Sequence, residues 1–260
     1  MALFIALALF FAAAMAGAWS IARKPGKSGW TDTIWSYATG IGGTAAALLS
    51  TGPIERRILV ATMVGMWGLR LGTHILRRTL KGVDDARYAQ LRQTWGSQWE
   101  TKLFRFLMIQ AAAALALMVP IVAAASNPAP AFAWSDWAGL GLLVASVMLE
   151  GLADRQLRNF AADPANRGQV MDRGLWAWSR HPNYFFEWTV WFAYVLIAVG
   201  PWGEWDWGWA ALFGPALIYW LLVHASGIPP TEAHMVKSRG RVFREYQARV
   251  NAFFPGPPRG

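Results

Sequence analysis

The chain contains no cysteine. That excludes a disulfide framework, a thiolate nucleophile and any thiolate metal site. Charge is also scarce: 15 % of the 260 residues are Asp, Glu, Lys or Arg, while 55 % are hydrophobic. No Gly-x-Gly-x-x-Gly sits between a strand and a helix, so a Rossmann-type dinucleotide site is excluded. The four histidines are scattered. Neither His181 with Glu187 nor His234 with Glu232 has a metal-binding spacing, and His224 is isolated, so no metal is expected. Internal repeats and low-complexity tails are lacking as well. Acidic residues are outnumbered, which leaves a formal charge of +9. Nucleic acid is one reading of that sign, but a membrane explains it better, because cytoplasmic loops accumulate Lys and Arg.

What is present is a series of apolar stretches close to the ~20 residues that cross a bilayer core. They cover residues 2–21, 31–49, 58–75, 104–125, 134–153, 185–199 and 207–225. The first could be a secretory signal, but its basic residues follow the apolar run instead of preceding it. The second is rich in Gly, Ala and Thr, a composition suited to close helix packing inside a bundle. Arg23, Lys24 and Lys27 follow the first stretch, and seven basic residues follow the third, counting through Arg105. Five follow the fifth and six lie in the tail, whereas the loops after the fourth and sixth carry none. Only Arg56 and Arg57 fall on the other side. The predicted fold is therefore an all-α polytopic membrane domain of seven helices, N-terminus outside and C-terminus cytoplasmic. Tryptophans at 134, 137, 202, 205, 207 and 209 crowd the uncharged loops, as an outer interfacial belt would.

Three polar groups require an account. The densest is 174–187, with Arg180, His181, Asn183, Tyr184 and Glu187 pressed against an aromatic run. Pro182 suits a first helical turn, which puts Arg180 and His181 just ahead of a helix N-terminus, a natural anion site. Asn183 and Glu187 are one turn apart on one face and suit a polar ring or amide. Glu187, inside an apolar pattern, is expected to face the bundle interior. Upstream, Glu150 and Asp154 share a helix face, followed by Arg155, Gln156, Arg158 and Asn159. Arg155 and Arg158 suit lipid phosphates equally well. The second group is Arg70 with His74, four apart, with Asp32 as the natural counter-ion of Arg70. A lone helical His is more often a hydrogen-bonded core residue than a catalyst. The third is the tail, where Arg239, Arg249 and Arg259 suit anionic headgroups, and Lys237 and Arg244 are placed to cap a ligand.

Gly174-Leu175-Trp176, then Ser179 to Tyr184 and Glu187, resemble the signature of the steroid 5-alpha-reductase family, nearest its bacterial DUF1295 branch. Asp32 to Trp35, Trp67 to Leu71 with His74, Arg87-Tyr88, Ser226 to Pro229 and Arg244 to Tyr246 are similar too, so the likeness runs from about residue 30 to the C-terminus. Isoprenylcysteine carboxyl methyltransferases and sterol reductases share a comparable C-terminal core. The resemblance implies a membrane enzyme that takes NADPH, or NADH, from the cytoplasm and reduces a carbon–carbon double bond conjugated to a ketone. It implies helices one to four (residues 1–125) on the substrate side and residues 126–260 as the cofactor core. By position it implies Asn183 and Glu187 at the nicotinamide, with Tyr184 beside them. Arg155 and Arg158 fall near the adenosine and phosphates, Arg77 and Arg78 fall where the family has another cofactor-binding arginine, and Asp154, Asn159, Arg173 and Gly174 belong to the expected cofactor set. Arg180, His181, Lys237, Arg244 and Tyr246 complete the expected cofactor set. Where the mammalian enzymes carry a glutamate and a tyrosine to polarise the ketone, this chain offers Asp32 and His74 as catalytic acids.

Two other readings remain open on the residues alone. One is a methyltransferase using S-adenosylmethionine at the same cytoplasmic site. The other is a non-catalytic lipid-binding protein whose polar cluster pairs with itself. In the enzyme readings a lipophilic substrate enters sideways from the bilayer, membrane lipids are the other partners, and nucleic acid is none. The bacterial inner membrane is the expected location.

Overall fold

The computed structural model describes residues 1–24, 26–81 and 86–259. Asp84 and Asp85 of the polar loop after the third stretch lie outside them. Among the described residues the chain is helical with no strand. The helices are α1 (Ala2–Ala22), α2 (Trp30–Leu48), α3 (Ile54–Thr79), α4 (Ala86–Trp95), α5 (Trp99–Ala116), α6 (Met118–Ser126), α7 (Trp134–Ala162), α8 (Pro182–Val199), α9 (Phe213–Trp220), α10 (Ile228–Arg239) and α11 (Arg241–Arg249).

The sequence predicts seven spans, but among the described residues five helical stretches are long and apolar enough to cross a membrane. These are Ala2–Ala22, Ile54–Thr79, Arg87–Ser126, Trp134–Ala162 and Asp206–Arg239. The other two expected spans form as helices α2 and α8, of 19 and 18 residues. Their polar positions face protein, which explains their lower hydropathy. Thr31, Thr33, Ser36 and Thr39 are buried on α2, and no residue of α8 is exposed. Boundaries move as well. The fifth stretch ends at residue 153 by hydropathy, yet α7 continues to Ala162, so Asp154, Arg155, Arg158 and Asn159 are helical. The polar loop after α3 contains α4, and the basic tail folds into α10 and α11.

Two compact units divide the chain: Met1–Ala138 with Tyr194–Gly214, and Gly139–Ala193 with Pro215–Gly260. In the first, α2 and α3 pack backbone to backbone. A Cβ on Gly68 would lie 2.5 Å from the Gly40 Cα, so neither position admits a side chain. α1 buries the stripe Leu7, Phe11, Met15, Ala18 and Ala22. Trp19 Nε1 donates to Glu100 O at 2.9 Å, tying the end of α1 to the start of α5. Arg56 is fully buried and meets Asp136 through Nε and Nη2, both at 3.0 Å. It also donates to the carbonyls of Asn127, Ala129 and Pro130, fixing the loop after α6.

The second unit holds α7 from Gly139 onward, the loop 163–181, α8 as far as Ala193, α9 from Pro215, and α10 and α11 with the tail. Val170 from the loop packs with Phe243, Tyr246 and Val250, which seats α11 against that loop. Around Trp188, the rings of Phe185, Phe253, Phe254 and Tyr219 form an aromatic cluster that anchors the final residues.

Candidate functional site

α8 begins at Pro182, as a proline at the first helical turn predicts, and the stretch ahead of it is built by its own backbone. Gly174 has φ +59°, and a Cβ there would come within 2.7 Å of Gln156 Nε2. Glycine therefore satisfies two demands at once. Gln156 Oε1 accepts the Leu175 N–H at 3.1 Å, and Trp176 Nε1 donates to Ala153 O at 3.0 Å. The Gly-Leu-Trp motif is thus the joint between the loop and the C-terminal end of α7.

The next residues grip the tail. Ser179 Oγ donates to Phe253 O at 2.9 Å and accepts the His181 N–H at 3.1 Å. The Arg180 N–H meets Asn251 O, and Trp178 O accepts the Gly256 N–H. The Arg180 side chain reaches Glu232 through Nε at 2.7 Å and Nη2 at 3.2 Å. Its Nη1 donates to the carbonyls of Gln247 and Val250. Glu232 also faces His181 Nε2 at 3.1 Å and accepts from Gln247 Nε2 at 2.6 Å. The expected anion site ahead of α8 therefore already holds an internal carboxylate. Tyr246 donates to Trp176 O at 2.6 Å, and burial raises its phenol above the ordinary tyrosine range.

On α8, the His181 and Tyr184 rings stack at 5.2 Å, and Tyr184 Oη lies 3.4 Å from Thr231 Oγ1. Asn183 Nδ2 donates to Asp154 Oδ1 at 3.2 Å, while its Oδ1 accepts the Tyr184 N–H. Glu187 accepts from Trp191 Nε1 at 3.3 Å. The structure thus joins Asp154 to Asn183 and His181 to Tyr184. Arg155, Arg158, Asn159 and Arg173 are exposed around the end of α7, and Lys237 and Arg244 are exposed on α10 and α11. None of these cations forms a hydrogen bond or ion pair among the described residues. Asp32, His74, Arg77 and Arg78 belong to the first unit. There Asp32 accepts from Arg87 Nη2 at 2.5 Å and Tyr88 Oη at 3.0 Å, where the sequence reading pairs it with Arg70. Sequence reasoning gave Glu232, Gln247 and Gln156 no role. The available signal was that Glu232 and Glu245 are the only acids in a basic tail.

Residues 18–250 match the DUF1295 family, described as a protein of unknown function. The chain belongs to this family. It is also similar to a Schizosaccharomyces pombe protein described as uncharacterized, at 27 % identity over 227 residues. That likeness covers 77 % of this chain and 64 % of the relative, so the chain spans less than two thirds of that protein's length. No solved structure matches.

Proposed function

We propose that this DUF1295 protein is a membrane reductase. It uses NADPH, or less favourably NADH, to saturate a carbon–carbon double bond conjugated to a ketone in a lipophilic, steroid-like or other lipid substrate. One observation carries the reading: the second unit holds both a hydrogen-bonded Asp154–Asn183 pair and exposed Arg155, Arg158 and Arg173, which make no hydrogen bond or ion pair among the described residues. Unpaired guanidinium groups fit phosphates, and an amide beside a carboxylate fits a carboxamide. When bound, the reduced nicotinamide supplies a hydride to the β-carbon of the enone. The arginines hold the phosphates, with Lys237 and Arg244 as further cations from the tail. Asn183 orients the amide, and Glu187 borders it. Arg180 and His181 do not bind the cofactor directly in this reading; they hold Glu232 and position the tail. Asp32 and His74, the two expected proton donors, both belong to the first unit, where Asp32 accepts from Arg87 and Tyr88. The topology that accompanies the reading has seven crossing helices, N-terminus outside, with the cofactor taken from the cytoplasmic face of a bacterial inner membrane. The distribution of Lys and Arg among the loops supports it.

Thermal-shift titration of the detergent-purified chain with NADPH, NADH and S-adenosylmethionine tests the reading. NADPH at a hundred times its Kd adds about 2.7 kcal/mol. Asn183→Ala weakens NADPH about tenfold with little change in the unliganded Tm. Stabilisation by S-adenosylmethionine alone overturns the reductase in favour of a methyltransferase, and stabilisation by none of the three favours a non-catalytic lipid-binding protein.

A further inference from the structure

A second polar feature lies wholly within the first unit. A cavity of about 10 Å³ opens at the corner where α1 ends and α5 begins, lined by Lys24, Ser28, Tyr88, Arg92 and Trp99 among others. Trp99 is 6 % exposed, and its indole N–H is buried with no hydrogen-bond partner among the described residues. An unmade hydrogen bond of that kind is costly, so the donor calls for an acceptor. The cavity is far too small for a whole phosphate or sugar. It has room for about one oxygen atom, the scale of a single water.

The rim is cationic. Lys24 is exposed and makes no ion pair among the described residues. Arg92 donates to Arg23 O at 2.5 Å and lies with its guanidinium 5.0 Å from the Trp99 ring. Arg23 sits over Trp19 at 5.1 Å and takes the nearby carboxylate, Glu100, as its own partner at 4.0 Å. Both α1 and the stretch containing α5 are long and apolar enough to cross a membrane. The Trp19–Glu100 hydrogen bond holds their ends at one level. Basic and aromatic side chains at the end of a membrane-crossing helix sit at headgroup level.

We propose that this corner binds the phosphate of an anionic glycerophospholipid. One phosphate oxygen enters the cavity and accepts the Trp99 N–H, and Lys24 and Arg92 neutralise the charge at the rim. The inference does not depend on the reductase reading. Native mass spectrometry of the detergent-purified full chain, titrated with phosphatidylglycerol, phosphatidylcholine or inorganic phosphate, tests it. One phosphatidylglycerol is retained in preference to phosphatidylcholine. Trp99→Phe weakens it about tenfold, and Lys24→Gln, at an exposed side chain, about fivefold. Unaltered retention by a folded Trp99→Phe, or by Lys24→Gln where Trp99→Phe does not fold, overturns the site. Displacement of the lipid by an equal concentration of inorganic phosphate overturns the assignment to a lipid.

Discussion

Arg56 and Arg180 solve the same problem in the two units with different degrees of permanence. Each gathers backbone carbonyls from a distant segment and binds one carboxylate. Arg56 takes Asn127, Ala129, Pro130 and Asp136; Arg180 takes Gln247, Val250 and Glu232. The first pair has side chains that are 0 % exposed on both partners, and all its guanidinium donors have acceptors. The second is 11 % and 14 % exposed, and its carboxylate is shared with His181 and Gln247. A wholly buried ion pair works only if it stays complete, whereas a shared carboxylate at the surface can lose one partner and keep others. Arg56 is thus a fixed strut, and Arg180 is a clamp whose carboxylate keeps other partners when one is lost.

The largest expected effect comes from removing the strut. Arg56→Ala strands a buried Asp136 carboxylate and three carbonyls, a loss of about 3–5 kcal/mol. Arg56→Lys recovers little, because an ammonium has three donors where the guanidinium has five. Thermal unfolding in detergent measures both. A loss under about 1 kcal/mol means that the loop is held by its other contacts, and the distinction between strut and clamp fails.

Arg180→Ala is the intermediate case. Glu232 keeps His181 and Gln247, so the expected loss is about 2 kcal/mol, near that of hydrogen bonds to a charged group. The effect is local. Trypsin should cut α11 and the residues beyond it faster than in the wild type, while the remaining helices stay protected. Uniform loss of protection along the chain would show instead that the clamp holds the whole fold.

The same contrast explains what could be read from the sequence. Helix existence was legible because apolar stretches of membrane length repeat along the chain, and the loop charges order them. Which of those helices cross was not, because hydropathy treats lipid and protein surroundings alike. Thr31, Ser36 and Thr39 on α2 lower its hydropathy while facing protein. The 174–187 stretch was legible as dense polarity, and Pro182 fixed where α8 starts. Its use was hidden, since nothing in Arg180 or His181 indicates that their acceptor lies some 50 residues onward at Glu232. Arg56 was hidden for the same reason: it read as an outlier to the loop charges, and only Asp136, 80 residues away, explains its burial. Local chemistry shows in a sequence, but long-range pairing does not.

The smallest expected effect lies at Tyr246, the hydroxyl that ties α11 to the loop without any ion pair. Tyr246→Phe keeps the ring packed with Phe243 and Val250 and removes the hydroxyl's donation to Trp176 O at 2.6 Å and its longer contact with Ser179 O at 3.4 Å, a loss of about 1 kcal/mol at neutral pH. The pH dependence separates this tie from the arginine clamp beside it. Burial raises the Tyr246 phenol in the folded chain, while the unfolded phenol titrates near its usual ~10. A raised folded value means that the stability is fully present below pH ~10 and falls as pH rises through the folded value, because the unfolded chain gives up its proton first. The advantage of the wild type over Tyr246→Phe therefore narrows above pH ~10, in paired thermal-unfolding curves. Arg180→Ala leaves the Tyr246 phenol in place, so the gap between wild type and Arg180→Ala holds nearly constant there. If the Tyr246→Phe gap also stays constant, its hydroxyl contributes through packing alone and is no part of the clamp.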